Sequence, residues 1–227
     1  MAYRGHSSIT IEKLDTHTDN LDDVHKSSSI WHNVGQLFSV SNCTLPHRLL
    51  TSLVPPLGFT NYRNVYTDLK VPVLLVTALT ATLMYGLSSS PGHHSTTTLP
   101  LLLLLLTTIK YTLGYWLAFT ALASVMGYLC STRLTPIQLL SITGYSLTGH
   151  TLVLLIAELL HQEDNHTVFF ILTTVFGGLA TCRMMVVVLV CTPRPPHRLL
   201  LGSSLASIHL MHLVFIHFAF MRKKFVV

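Results

Sequence analysis

Between Val71 and Met221 the chain contains hydrophobic stretches long enough to cross a lipid bilayer, and these constrain its fold more than any other feature. A bilayer core of about 30 Å requires roughly 20 apolar residues in a helix. Four windows near that length are clear, at Val71 to Leu87, Ile137 to Leu160, Thr167 to Val190 and Leu199 to Met221. We therefore predict an all-α fold, a polytopic transmembrane helical bundle.

A fifth stretch, Leu99 to Cys130, is 32 residues long and is interrupted only by Lys110. As one helix it would extend about 48 Å, which is too long for an upright span and too short for two spans with a turn. We interpret it as a single tilted span with its core at Tyr111 to Leu129, with Lys110 reaching toward the interface. The predicted bundle therefore has five spans.

The composition supports a membrane protein and argues against several other classes. Only 10% of the residues are charged, against about 25% in soluble domains. The net charge of +5 comes from scattered basic residues with no nucleic-acid-binding signature, so we expect no nucleic-acid partner. The four cysteines lack metal-ligand spacing. The first 29 residues are polar, so no cleavable signal peptide is expected and the first span acts as the targeting signal.

Basic residues beside the spans predict the orientation of the chain. With a cytosolic N-terminus, the cytosolic side carries Arg63, Lys70, Arg133, Arg194 and Arg198, whereas the opposite loops at Ser88 to Thr98 and His161 to His166 carry no Lys or Arg. The C-terminal Arg222, Lys223 and Lys224 oppose this arrangement, but five charges against three still favour it.

This orientation gives a domain plan with four parts. Residues 1–30 are expected to form a disordered cytosolic N-terminus. Residues 31–70 form a cytosolic region with a short interfacial or packing helix, because Leu45, Leu49, Leu50 and Leu53 recur near helical spacing after Pro46. Residues 71–221 form the five-span domain, and residues 222–227 form a short lumenal tail.

Ionisable groups inside a bilayer are costly and are functional candidates by default, which singles out His150, Glu158 and Arg183. A proton or ion pathway would use such groups. Because Glu158 and Arg183 fall at different depths, we favour structural or assembly roles over transport.

Three histidines of the last span, His209, His212 and His217, fall within an arc of about 140 degrees. Such a group could bind a metal or titrate near neutral pH. His150 is the only obvious further intramembrane ligand, so hydrogen bonding between helices is favoured and no metal site or cofactor is predicted.

Small residues one helical turn apart allow close helix approach in lipid. The candidate packing or partner-contact residues are Gly114 with Ala118, Ala123 with Gly127, Gly177 with Thr181, Gly202 with Ala206, and also Gly144, Tyr145, Gly149 and Gly178. Packing within the monomer is favoured, and contact with another membrane protein remains the alternative.

No catalytic motif is present: the chain has no Walker loop, nucleophile elbow, zinc-protease helix or acid–base carboxylate pair, so we expect no enzymatic activity. Trp31 to Val34 has the aromatic-x-x-aliphatic form of autophagy-adaptor ligands, although local packing is the favoured interpretation. Asn42 and Asn165 head N-x-Ser/Thr patterns, but neither position favours glycosylation.

Several strings in combination resemble the Yip-domain family of Ypt/Rab-interacting membrane proteins, most closely its third human-type branch. The matching strings are Val65 to Leu69 (VYTDL), Gly114 to Leu117 (GYWL), Leu139 to His150 (LLSITGYSLTGH), Gly177 to Met184 (GGLATCRM), and Arg198 to Leu201 with His209 and His217. Where the broader family opens its first span with glycine-proline, this chain has Val71-Pro72. The resemblance extends from about Leu49 to Phe220.

The resemblance implies a non-enzymatic five-span protein that resides in the Golgi, at its cis side, or cycles between it and the endoplasmic reticulum. Its expected partners are membrane lipid, another Yip-family protein and, for some members, Rab GTPases. Its expected role is as a scaffold in vesicle traffic between endoplasmic reticulum and Golgi and in Golgi maintenance. The alternatives are a small-solute or proton transporter using Glu158, Arg183 and the histidines, and a Golgi receptor for autophagy adaptors.

Overall fold

The computed structural model describes residues 37–38, 45–53, 67–88, 98–160 and 166–221. Several sequence expectations fall outside these ranges. They are the disorder of residues 1–30, the Trp31 to Val34 pattern, the glycosylation patterns at Asn42 and Asn165, and the tail at residues 222–227.

The described residues form helices and no strand. The helices are α1 (Leu45–Leu53), α2 (Lys70–Ser88), α3 (Thr98–Leu129), α4 (Pro136–Leu159), α5 (His166–Leu172), α6 (Gly178–Cys191) and α7 (Pro195–Ile216). A π-helical turn at Thr173–Gly177 joins α5 to α6, and a second one at His217–Met221 follows α7.

Five helical stretches are long and apolar enough to cross a membrane by length and composition. They are Lys70–Leu87, Leu101–Leu129, Pro136–Leu159, Thr167–Cys191 and Pro195–Phe220. The predicted all-α, five-span class is confirmed. The single span predicted for Leu99 to Cys130 is also confirmed, since α3 is one continuous helix of 32 residues.

The third span, α4, is the central helix of the bundle. In its most hydrophobic 18-residue stretch 78% of the residues are buried, compared with 17% for α3. Many of the buried side chains of α4 are small or hydroxylated, including Ser141, Thr143, Ser146 and Thr148. Small side chains let helices pack closely in lipid, where no hydrophobic effect drives them together.

Two apolar clusters fill the spaces around α4. The first contains Leu79 and Leu83 of α2, Leu147 and Leu154 of α4, and Leu213 of α7. The second contains Phe119 and Ala123 of α3, Met184 of α6, and Leu201 and Leu205 of α7. The first cluster also includes Trp116 of α3 and Phe169 of α5, so all five spans contribute to it. The second also includes Leu139 of α4, so it joins the last four spans.

The turn between α3 and α4 is defined by helix caps at both ends. Ser131 has a positive φ of 54°, and the Thr132 N–H bonds the Gly127 carbonyl at 2.9 Å, which is the long bond of a Schellman-type ending. Thr135 and Gln138 then form a capping box before Pro136 opens α4. This turn is held against the one between α6 and α7, because the Arg133 N–H donates to the Cys191 carbonyl at 3.1 Å.

Candidate functional site

A buried carboxylate joins the segment before the first span to α4. An Arg48 guanidinium nitrogen lies 2.7 Å from Asp68 Oδ1, and the Tyr145 hydroxyl lies 3.0 and 2.9 Å from the two carboxylate oxygens. The Ser141 hydroxyl donates to the Asp68 backbone carbonyl at 2.9 Å. A buried carboxylate is tolerated only when paired and hydrogen-bonded. We call Arg48, Asp68, Ser141 and Tyr145 the Asp68 site.

A second contact fixes α1 to α4. The Ser52 hydroxyl donates to Thr148 Oγ1 at 2.9 Å, and Ser52 is almost fully buried. Leu45 and Leu49 pack against the first apolar cluster. Of the leucines whose spacing predicted a helix in this segment, Leu45 and Leu49 therefore pack on the bundle, whereas Leu50 is 66% exposed.

Hydroxyl and indole groups make further links between the first three spans. The hydroxyls of Thr80 and Thr112 lie 2.7 Å apart between α2 and α3. Those of Thr120 and Thr143 lie 2.7 Å apart between α3 and α4. Trp116 Nε1 donates to the Leu140 carbonyl at 3.1 Å. Hydrogen bonds of this kind contribute about 0.6 kcal/mol each in membrane bundles.

Histidines of α4 and α7 meet a tyrosine of α3 in the bundle interior. His209 Nε2 lies 3.3 Å from the Ser146 carbonyl, and His209 Nδ1 lies 2.9 Å from the Tyr115 hydroxyl. Because a carbonyl only accepts, Nε2 carries the proton, and in the neutral ring Nδ1 accepts from the Tyr115 hydroxyl. His209 therefore links α7 to both α3 and α4.

Two more histidines complete this group, which we call the histidine cluster (Tyr115, His150, His209 and His212). The rings of His150 and His209 have centroids 4.2 Å apart, and His212 stacks on Tyr115 at 3.3 Å. His150 is fully buried, and neither of its ring nitrogens has a hydrogen-bond partner in the part of the chain that the structure describes. Among those residues no group of three or more His, Cys, Asp or Glu is arranged to hold a metal ion. The rings pack against one another and join three helices.

The other intramembrane polar residues lie apart from this cluster. His217 stacks on Phe169 with centroids 3.6 Å apart. Glu158 is half-buried near the end of α4 and forms no ion pair with any described residue, and Arg183 is half-buried on α6. The structure therefore does not bring Glu158 and Arg183 together as an ion pair.

Four of the candidate glycines lie at close contacts inside the bundle. A Cβ atom on Gly149 would lie 2.8 Å from the Phe176 carbonyl oxygen, which the π-helical turn presents, and 2.9 Å from Ala180 Cβ. A Cβ on Gly144 would overlap Pro72 of α2. Gly177 and Gly202 face α7 and α6 at 3.0 and 3.2 Å, respectively. Thr181 is also buried.

Other small residues face outward. At Gly114 and Gly178, an added Cβ atom would have no other heavy atom within 4 Å. Gly114 and Ala118 are exposed on α3, and Ala206 is half-buried on α7. The structure thus separates an internal set of small residues that joins helices from an open set, Gly114, Ala118 and Gly178. Gly114 and Ala118 lie on α3, the least buried span.

Replacing Tyr115 with phenylalanine tests the link from α3 to His209. We expect Tyr115→Phe to lower the free energy of unfolding by about 0.6 to 1.7 kcal/mol, the range for such bonds in membrane bundles. Thermal unfolding of the full chain in detergent measures this. Tyr128→Phe is the control, since Tyr128 lies on the same helix and is 85% exposed. Equal effects of the two changes would contradict the assigned bond.

Sequence reasoning did not identify the Asp68 site. It included Asp68 only in the string Val65 to Leu69, and Tyr145 only as a packing or partner-contact residue. The sequence did carry one signal for this site: Asp68 is a single carboxylate directly before an apolar helix. A charge buried at such a position requires a partner. The role of Tyr115 also emerged only when three helices were placed together, whereas His212 was already indicated by its spacing from His209.

A family model described as the YIPF3 C-terminal domain matches residues 43–221. The match begins just before α1 and covers all five spans. It therefore includes the Asp68 site and the histidine cluster. No solved structure matches the chain.

Proposed function

This chain belongs to the YIPF3 C-terminal domain family, and from that premise we propose that it is a non-enzymatic scaffold of the Golgi membrane. In this proposal it takes part in vesicle traffic between endoplasmic reticulum and Golgi and in Golgi maintenance, in complex with another Yip-family protein. The family match and the five membrane-spanning helices support the proposal.

The polar groups of the interior support a structural role over a catalytic one. Asp68 is engaged by Arg48 and Tyr145, and His209 by Tyr115 and Ser146. A general base needs access to a substrate proton. Carboxylate and imidazole groups already bonded between helices instead hold the bundle in one arrangement.

The outward face of α3 is the observation that carries the proposed assembly. Gly114 is exposed with nothing within 4 Å, and Ala118 is exposed one turn later. Leu113, Leu117 and Leu122 flank them and are also exposed. A small-residue pair between leucines lets a second helix approach closely in lipid. We assign this face to the Yip-family partner.

The proposed orientation places the N-terminus in the cytosol and the protein in the cis-Golgi, cycling with the endoplasmic reticulum. Two hydrogen bonds support the proposal that basic residues gather at one end of the bundle. The Arg133 N–H donates to the Cys191 carbonyl, and the Ser141 hydroxyl donates to the Asp68 carbonyl. They bring the segment before α2 and the turns after α3 and α6 to the same end of the bundle. Arg133 and Arg194 lie there, as the positive-inside rule requires of a cytosolic face. Rab GTPases are further proposed partners on that face.

Enlarging the small pair tests the partner face. We expect the double variant Gly114→Leu with Ala118→Leu to reduce about tenfold the amount of Yip-family protein that copurifies with the full chain. Overpacking costs at least about 1.4 kcal/mol of binding free energy, which corresponds to a tenfold loss of affinity. Quantitative mass spectrometry of complexes from solubilised Golgi membranes measures it.

Ser207→Leu is the matched control, since Ser207 is exposed on α7 and the change adds similar bulk elsewhere. Partner recovery should stay at the level of the unaltered protein in this control. Isolation of the unaltered protein only as a solitary monomer would contradict the proposed complex.

A further inference from the structure

A group of three arginines lies where two turns meet at one end of the bundle. The turn after α3 carries Arg133, and the turn after α6 carries Arg194 and Arg198. The Arg133 N–H bond to the Cys191 carbonyl, 3.1 Å long, holds the two turns side by side. We call these three residues the arginine group.

The turn after α6 is fixed in shape. Arg194 stands between Pro193 and Pro195 in extended backbone conformation, with φ −94° and ψ 125°. Arg198 Nε donates to the Thr192 carbonyl at 2.6 Å, and the Arg198 N–H donates to the Arg194 carbonyl at 3.1 Å. Arg198 therefore stabilises the turn, and the backbone that carries the Arg194 side chain is held in one conformation.

The positive charges of Arg133 and Arg194 have no acidic neighbour among the described residues. Both side chains are exposed, and neither forms an ion pair within the described ranges. Asp68, one of the two carboxylates in those ranges, is paired with Arg48, and Glu158 lies near the opposite end of α4. Two exposed arginines on neighbouring turns thus present about two units of positive charge that no carboxylate in the described ranges pairs with.

Large apolar side chains flank the arginine group on the outside of the bundle. Tyr128 and Leu129 at the end of α3 are 85% and 71% exposed, and Leu199 and Leu200 at the start of α7 are 68% and 59% exposed. Tyrosine side chains at helix ends favour the boundary between headgroups and acyl chains, and exposed leucines beside them provide apolar surface for the acyl chains. A molecule bound here would meet cationic donors at its head and apolar surface along its tails.

We propose that the arginine group binds the headgroup of a membrane phospholipid that carries a phosphomonoester. A phosphomonoester has about −1.5 to −2 charge at neutral pH, which matches the two exposed arginines, and guanidinium groups bind phosphate oxygens through two parallel N–H bonds. Basic pockets between helix ends are known in general as lipid-headgroup sites.

Native mass spectrometry of the full chain tests the proposal. The protein is reconstituted in phosphatidylcholine nanodiscs containing phosphatidylinositol monophosphate, or phosphatidylserine at matched total charge. We expect the phosphoinositide alone to be retained after release from the disc. Arg133→Gln with Arg194→Gln should lower its affinity about thirty-fold, as expected for two arginines at a membrane surface.

Two control variants and one stability measurement separate the proposed site from general charge effects and from misfolding. Lys110→Gln removes an exposed positive charge elsewhere on α3 and should leave retention unchanged. Arg133→Lys with Arg194→Lys keeps the charge but not the paired donors, and should give an intermediate loss. Thermal unfolding of all variants in detergent should match the unaltered protein.

Equal retention by the unaltered protein and the double glutamine variant would overturn the proposal. Equal retention of phosphatidylserine, or an equal loss in Lys110→Gln, would overturn it as well. A soluble inositol phosphate that competes as strongly as the lipid binds would show a free-phosphate site instead of a lipid site.

Discussion

Replacing Asp68 with alanine is expected to lower the free energy of unfolding by about 3 kcal/mol, the low end of the range for breaking a buried ion pair. The change removes the counterion of Arg48, whose side chain is only 24% exposed, and the acceptor of the Tyr145 hydroxyl. It therefore removes one ionic partner from a half-buried charge and one acceptor from a buried donor. The bond from Ser141 to the backbone carbonyl survives.

Thermal unfolding and size-exclusion profiles of the full chain in detergent measure this loss. Glu158→Gln is the matched control, because Glu158 is a half-buried carboxylate that forms no ion pair with any described residue. It should unfold within about 0.5 kcal/mol of the unaltered protein. The double variant Arg48→Met with Asp68→Asn should recover part of the lost free energy of unfolding. If Asp68→Ala unfolded like Glu158→Gln, the Asp68 site would have no role in stability.

Adding a methyl group at Gly144 is expected to cost about 2 kcal/mol of stability. The new Cβ would overlap Pro72 and lie 3.0 Å from Trp116 Nε1, so α2 or α3 must move away from α4. Overpacking of this kind costs up to about 3 kcal/mol, while alanine gains about 1 kcal/mol over glycine in a helix. The steric cost is therefore the larger effect.

Two other glycines provide the comparison for Gly144→Ala. Gly114→Ala and Gly178→Ala place the same methyl group where nothing lies within 4 Å. Both should leave the unfolding temperature unchanged or raise it slightly. A ranking in which Gly144→Ala is as stable as these two would show that α2 and α4 are not in the close contact described.

The sequence predicted the spans well because a membrane span is a local property. Length and hydrophobicity alone define Pro136–Leu159, and the charge interruption at Lys110 was too slight to divide α3. The Asp68 site is different, since Arg48, Asp68 and Tyr145 come from three separate parts of the chain. No local pattern specifies which of several scattered polar residues will pair.

The same distinction explains the small residues and the histidines. From the sequence, Gly114 and Gly144 are both predicted to be small packing residues. The positions of the other helices leave Gly114 open and enclose Gly144. Helical spacing placed His217 on one arc with His209 and His212. His217 lies about 12 Å further along the helix axis than His209, and it packs on Phe169 instead. A functional role for these glycines and histidines remains a prediction.

The central position of α4 has a consequence for biosynthesis. Spans emerge from the ribosome in chain order, and Tyr145 follows Asp68 by 77 residues. Until α4 is made and inserted, the first two spans lack the helix against which they pack, and Asp68 lacks its phenolic partner. Helices insert first and associate afterwards in the two-stage description of membrane folding. The newly made chain therefore passes through a stage in which its first two spans are in the membrane without α4 and with Asp68 lacking Tyr145.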